Sequence, residues 1–329
     1  MSAASIDMWD VDIIISTYNR GDSIDQTIAS IRASGHRRFT LWVLDQSDDD
    51  RTERCVARHA EADPRVRYLR APLRGLCATR NAGSRLGSAP YILFTNDDVR
   101  VDPGWVGALV RDMAQNRAWC AFGRVLPGGV APELVHSTTV LGLKTSTRHE
   151  TYGPGSMNLG FGHGHNMAVA RQRFEQLGGF DELLGAGSPL GAWDERDFGY
   201  RVLLHGGSIT YTPEALAFHH HAQDSRGVWQ SFRNYGAGTG AAVGKYLRCG
   251  KFPALYLLFE WMFSQGVRQI VSGVVRRQGL GKVRAGFEQL YFPIVGLIRS
   301  LRYAVDRETL MYRPSPLVAD AQPVQLGGS

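Results

Sequence analysis

Cysteine is scarce in this 329-residue chain, with four in all: Cys55, Cys77, Cys120 and Cys249. No two have C-x-x-C spacing, which excludes a zinc knuckle or thioredoxin-type motif, and four in so long a chain are no disulfide framework. Long apolar runs are also missing. No stretch reaches the ~18 uncharged apolar residues that a membrane span requires; the nearest, 253–259 and 289–298, are bounded by charge. The first ten residues carry no basic segment followed by an apolar run, so no signal peptide is expected. A reducing cytoplasm is the expected setting. Lysine is nearly absent: of 37 basic residues only Lys144, Lys245, Lys251 and Lys282 are lysine, and the other 33 are arginine. There is no G-x-G-x-x-G after the first apolar run and no G-x-x-x-x-G-K-[ST] anywhere, so dinucleotide and P-loop chemistry fit poorly. Internal repeats and low-complexity tracts are absent too.

What is present is globular in composition, with 43% hydrophobic and 21% charged residues, which excludes a disordered or fibrous chain. The formal charge of +6 is unevenly placed. Residues 226–313 hold fourteen Lys/Arg against four acids, a balance of +10, and the rest of the chain stands at −4. That acidic front, with no RNA-binding aromatic motif, argues against a nucleic-acid binder despite the arginine count.

Residues 11–16 (VDIIIS) are a β-branched run of the kind that forms a buried parallel strand. A polar turn follows, then a helical pattern through Ile24, Ile28 and Ile31. Strands are predicted at 39–44, 66–69 and 91–94, and helices at about 52–60 and 75–87. This β-α-β-α-β-α-β order predicts an α/β fold with a doubly wound, mostly parallel sheet flanked by helices. Three polar clusters, 17–20, 45–50 and 96–98, each follow a strand. In an open α/β sheet those strand ends share one edge, where ligands bind. Asp102 is the expected cap of the helix starting near Pro103.

The segments IISTYNRGDSIDQTIASI, VLDQSDDDRT, GLCATRNAGSRLGSAPYILFTNDDV, GHNMAVARQRFEQLGGFDE, WDERDFGYRVLLHGG and TPEALAFHHH, in that order over about 11–221, resemble a family 2 glycosyltransferase of GT-A fold. The resemblance implies inverting transfer of a sugar from a nucleotide-sugar donor to an acceptor hydroxyl. By that match Asp98 meets a Mg²⁺ or Mn²⁺ ion and Asp97 the ribose or a metal-bound water, with Asn96 where the family often has a third acid. A hard cation of this type suits carboxylate ligands and offsets the charge of a departing nucleoside diphosphate. His219 matches a late histidine that ligates the metal or meets phosphate; His220 and His221 adjoin it. Asp45 matches the acid that reads the base, followed here by Gln46-Ser47-Asp48. Thr17, Tyr18, Asn19 and Arg20 match the loop on base and ribose. Arg80 matches an arginine near the diphosphate, and Asn166 and Met167 match the sugar pocket, with His163 and His165 read as incidental. Glu195 occupies the position of the general base, and Asp194 is the alternative. The Q-x-x-R-W element of processive synthases is absent, so the expected reaction is a single addition.

The expected organisation is a catalytic domain over 8–222, a basic and apolar helical extension over 223–313, and a disordered tail over 314–329. The extension reads either as a helical subdomain packing on the sheet or a twin subunit, giving a homodimer, or as amphipathic helices that lie on an anionic bilayer. The donor is expected to be UDP-, dTDP- or GDP-linked, and the acceptor a glycan, a lipid-linked saccharide or a small molecule, with envelope polysaccharide or glycolipid synthesis the setting. The location is cytoplasmic or peripheral at the inner membrane face, and no nucleic-acid partner is expected. A sugar-phosphate nucleotidyltransferase is the rival enzyme class, but the first strand lacks the Gly-rich basic loop it needs. A soluble small-molecule or protein acceptor is the other alternative.

Overall fold

The computed structural model describes residues 8–72, 75–129, 142–220, 225–275 and 280–313. His221 and the 314–329 tail lie outside the described residues. The chain forms two compact units. One comprises the chain up to Phe180 together with Trp193–Phe232; the other comprises Asp181–Ala192 and the chain from Arg233 on. The division falls ten residues beyond the expected edge at 222/223, and it assigns a short internal segment, Asp181–Ala192, to the second unit.

In the first unit the elements run β1 (Val11–Thr17), α1 (Ile24–Arg32), β2 (Phe39–Asp45), α2 (Arg51–Ala62), β3 (Val66–Arg70), α3 (Leu76–Ser84), β4 (Tyr91–Asn96), β5 (Val99–Val101), α4 (Trp105–Asn116), β6 (Cys120–Pro127), β7 (Glu150–Tyr152), β8 (Met167–Ala170), α5 (Arg171–Gln176), α6 (Asp194–Leu204) and β9 (Ile209–His219). Their order in the sheet is β3-β2-β1-β4-β8-β6-β9-β5, with β7 paired to β9. The first four strands are parallel, as the sequence pattern predicts. Beyond β4 the sheet becomes mixed. β8 runs antiparallel to β4 and β6, and β5 runs antiparallel to β9, while β6 and β9 are parallel.

β1 is buried along its whole length, which is why it reads as a continuous apolar run rather than an alternation. Ile13 and Ile15 share a core with Ile24, Ile28 and Ile31 of α1 and with Trp105 and Leu109 of α4. The opposite face holds Phe94, whose ring meets Phe174 and Phe180 at centroid distances of 5.5 and 5.1 Å. α3 lies close to this face because Gly83 has no side chain: a Cβ there would meet Ile14 and Leu44 at 2.8 Å. Asp102 does not take its expected capping role: α4 begins at Trp105 with Gly104 at its N-cap and no side-chain cap, and Asp102 accepts the Gly104 N–H at 2.8 Å in the turn ahead of it.

The second unit is helical: α7 (Ser225–Arg248, its first turns in the first unit), α8 (Ala254–Trp261), a π-helical turn (Met262–Val267), α9 (Arg268–Val275) and α10 (Leu280–Ser300), followed by the hairpin β10 (Val305–Asp306) and β11 (Met311–Tyr312). Its anchor is a buried ion pair. Lys245 Nζ lies 2.7 Å from Asp181 Oδ2, which also accepts the Tyr312 N–H at 2.9 Å.

Candidate active site

Thr17, Asp45 and Asn96 end adjacent parallel strands, with Thr17 in register with Asp45 and Ser16 with Asn96. The chain turns after Asn96 through Asp97-Asp98 into β5, which pairs Val99 with His219 at the end of β9. This pairing brings Asp98 to His219 across 120 positions of sequence: Asp98 Oδ1 stands 3.4 Å from His219 Nε2, and no closer partner takes that buried oxygen. Asp98 and Asp97 are both buried. Thr17 Oγ1 donates to Asp97 Oδ2 at 2.7 Å, and the Arg20 guanidinium bridges the two acids, 3.3 Å from Asp97 and in direct ion pair with Asp98. Burial and the charge of Asp98 push the Asp97 carboxyl up. Burial would raise Asp98 as well, but His219 and Arg20 hold it well below the usual carboxylate range. An ionised carboxylate with an open oxygen facing an imidazole nitrogen is a donor set that fits Mg²⁺ or Mn²⁺.

A second acidic pair opens α6. Asp194 and Glu195 occupy its first turn, where the helix dipole favours negative charge. Asp194 Oδ2 accepts from Arg80 at 3.0 Å. Glu195 Oε1 faces His163 Nδ1 at 3.7 Å. The two acids part in proton affinity: burial and the neighbouring Glu195 charge raise Asp194, whereas Glu195, despite its burial, is held low by His163. His163 stacks on His165 at a 5.7 Å centroid distance, and His165 on His219 at 4.5 Å. Three rings therefore connect the Glu195 carboxylate to the Asp98 carboxylate. Burial, with His219 and His163 beside it, pushes His165 well below its ordinary value, which favours its neutral form.

The other expected residues fall into two groups. The 17–20 loop is tied to the 46–50 loop: Asn19, in a left-handed conformation (φ 53°), takes Ser47 Oγ with its N–H and exchanges side-chain bonds with Asp48. Tyr18 is half-exposed beside it. Asp45 is at the right edge but fully buried, one oxygen taken by the Ser47 N–H and the other by the Tyr68 hydroxyl at 2.9 Å. A base that reaches it must share those lone pairs, of which a carboxylate has about four.

Arg80, Asn166 and Met167 are all buried. Arg80 is 1% exposed, and its donors go to Asp194, Asn96 and Gly164 O, between the rings of Phe94 and Phe180. It ties α6, β4 and the 164 loop together from within. Asn166 is fully buried. Its amide donates to Arg124 O and Ala215 O and accepts from Trp105 Nε1, where the β6–β9 register shifts and leaves carbonyls unpaired. Met167 is a core residue of β8.

His163 and His165, read as incidental in the sequence, join the two acidic pairs instead. Because β8 is antiparallel, the chain enters it at the edge where the parallel strands end, and the loop before it lands in the site. The signal was two histidines alternating with glycines just ahead of a strand. Gly164 is needed there, since a Cβ would crowd Arg80 and Glu195 at 2.9 and 3.3 Å.

Asp25, Cys55 and His59 also cluster within ligand distance of one another. Arg32 lies 3.0 Å from His59 Nδ1, which places the ring proton on Nε2 facing Asp25 at 3.1 Å. The trio is thus a closed structural network.

A mixed sheet of this order, with paired acids on the edge where its parallel strands end, defines the GT-A class of fold. The sequence matches the model "Glycosyl transferase family 2" over residues 12–178, half of its length, and the chain belongs to that family. It is 22% identical over 178 residues to a glucosyl-dolichyl phosphate glucuronosyltransferase of Haloferax volcanii, covering 53% of this chain and 57% of that one. It is 24% identical to a validoxylamine A glucosyltransferase of Streptomyces hygroscopicus subsp. jinggangensis, covering 62% and 54%. With an N-acetylglucosaminyl-diphospho-decaprenol L-rhamnosyltransferase of Mycobacterium tuberculosis it shares 24% identity, covering 65% and 76%. The chain spans little more than half the length of the first two. In fold it is similar to a mannosyltransferase from Pyrobaculum calidifontis solved with GDP-Man and Mn²⁺, with a TM-score of 0.60 and 16% identity over 89% of this chain and 87% of that one.

Proposed function

We propose that the chain transfers one sugar, with inversion, from a nucleoside-diphosphate sugar to an acceptor hydroxyl, using a divalent metal. The observation that carries this reading is the convergence of Asp98–His219 and Asp194–Glu195 at one sheet edge, joined by the stacked histidines. Asp98 and His219 would hold Mg²⁺ or Mn²⁺, whose positive charge stabilises the departing diphosphate. Arg20 adds a second positive group at the same place, and the 17–20 and 46–50 loops receive the nucleoside, with Asp45 behind them and Tyr18 at the surface.

Glu195 takes the acceptor's proton. Asp194 Oδ2 is occupied by Arg80, while Glu195 is faced by His163 across a wider gap. Proton affinity alone favours Asp194, but two touching carboxylates titrate as a pair. A proton arriving on Glu195 relieves the repulsion that raises its neighbour, so the pair accepts one proton readily whichever oxygen receives it.

Two relatives are named for dolichyl phosphate- and diphospho-decaprenol-linked saccharides. A lipid-linked or envelope glycan acceptor, met at the cytoplasmic face of a membrane, is accordingly the reading for this chain. The donor's nucleotide is UDP, dTDP or GDP.

The test is a screen of nucleotide-sugars with and without chelator, on the parent and on Asp98→Ala. Metal-dependent nucleotide binding and turnover are expected in the parent and lost in Asp98→Ala at an unchanged melting temperature. Unaltered metal-dependent binding in the variant overturns the site.

A further inference from the structure

The helices of the second unit are packed inside out. A helix on a water-soluble protein turns large apolar side chains inward and small or polar ones outward. α10 does the reverse. Its buried positions are Ala285, Gly286, Gln289, Pro293, Gly296 and Ser300. Its exposed stripe, at alternating four- and three-residue steps, is Leu280, Arg284, Phe287, Tyr291, Ile294 and Ile298, with Leu301 following the helix. Leu280 is 86% exposed and Tyr291 62%.

The run through α8, the π turn and α9 repeats the pattern. Its buried positions are Ala254, Gly266 and Gly273 together with Leu257 and Trp261 of α8, while Leu255, Tyr256, Phe259, Phe263, Val271 and Val274 face solvent.

Contacts between these helices are made through glycine. Gly236, Gly240 and Gly244 of α7, spaced as G-x-x-x-G-x-x-x-G, lie against Gln289, Phe292, Pro293, Leu297 and Ser300 of α10, and Gly296 lies on the Ala237 backbone. Gly266 and Gly286 meet each other and the side chains of Leu290 and Ile270. Close packing on small residues, with the large apolar ones left outside, is how helices associate in lipid. Yet no helix among the described residues is long and apolar enough to cross a membrane.

The charges around this surface are predominantly positive. Arg268, Arg284, Arg299 and Arg302 are exposed, and Lys282 is half-buried. Of the two acids among the described residues between 252 and 302, Glu288 is paired with Arg233 and Arg284, leaving Glu260.

We infer that the outward faces of α8–α9 and α10 form a monotopic membrane-docking surface that inserts apolar side chains into an anionic leaflet while the arginines meet its headgroups. An isologous contact between two copies would bring the same basic stripes face to face, a like-charge arrangement that disfavours dimerisation here. The inference stands on this unit's own packing and charge, and it survives or falls independently of the glycosyl-transfer reading.

The experiment is flotation of the full chain with vesicles of phosphatidylglycerol mixed with phosphatidylcholine, and with phosphatidylcholine alone, at low and high salt. A Phe287→Ser/Ile294→Ser/Ile298→Ser variant changes only exposed positions, and its circular dichroism and melting serve as the fold check. Arg299→Glu/Arg302→Glu is the charge variant. The parent is expected to float with the anionic vesicles. The triple variant should bind about tenfold more weakly or worse, since insertion scales with buried apolar area. The charge variant should lose binding chiefly at low salt, and the parent should remain monomeric by light scattering. Absence of flotation at low salt, unchanged binding by the triple variant, or equal binding to neutral vesicles overturns the proposal. A parent dimer that the triple variant dissociates replaces it with a contact between copies.

Discussion

Glu195 and Asp194 sit on one helical turn, yet Arg80 holds one and His163 faces the other. Glu195→Gln keeps the shape and removes the base, so transfer is expected to fall about 10²–10⁴-fold with donor affinity nearly unchanged. Asp194→Asn deprives buried Arg80 of its anion and should lower the melting temperature as well as the rate. A stable Asp194→Asn without activity, beside an active Glu195→Gln, would move the base to Asp194. His163 carries its own prediction. His163→Phe keeps a ring stacked on His165 and removes the nitrogen facing Glu195. Burial then dominates, and the Glu195 carboxyl rises from about 2. A carboxylate base works only when ionised, so the acid limb of the kcat/KM profile should move to higher pH. Activity on that limb falls roughly tenfold for each pH unit that the limb moves, so the loss should be greater at pH 5 than at pH 8. An unmoved acid limb would reduce His163 to a packing role.

At the scale of elements, Asp181–Ala192 is the segment whose membership sequence periodicity does not reveal. Asp181 lies in a loop, Lys245 in the last turn of α7 and Tyr312 in β11, and a single carboxylate joins all three. Both charges are essentially without solvent. Removing one partner of such a pair strands the other in a low dielectric, a loss of about 3–5 kcal/mol. Lys245→Met, matched in length, is therefore expected to lower the urea midpoint by the corresponding amount. A midpoint within error of the parent's would show that the pair does not hold this unit together.

Across the whole molecule, charge and apolar surface are distributed by region. Residues 226–313 carry +10 and the remainder −4. The large exposed hydrophobic side chains fall almost entirely between 252 and 301, with Met8 and Tyr18 the exceptions among the described residues. In the other unit two buried acidic pairs, Asp97–Asp98 and Asp194–Glu195, stand near one sheet edge. In the basic unit the positive groups surround apolar side chains that have no protein cover. Binding to a bilayer through such a surface weakens with salt, because exposed charges are screened over about a Debye length.

The order of the first four strands, and the acids that follow them, were legible in the sequence. They are local: a β-branched run makes a parallel strand wherever both its faces are covered, and its polar end must fall at the sheet edge. Asp98 follows the fourth strand in the same way, whereas the Asp194–Glu195 turn opens a helix and was singled out by the family resemblance. The antiparallel insertion of β8 was not, because strand direction depends on which neighbour completes the backbone hydrogen bonds. That insertion carried His163 and His165 into the site. Arg80 and Asn166 were singled out by the family resemblance; that both are buried, and which carbonyls and carboxylates they bond, only the tertiary structure decided. The helices of the second unit were evident from their apolar content. Which face each turned outward was decided by tertiary packing, since glycine allowed the backbones to approach and left room inside for only a few large side chains, Leu257 and Trp261 among them.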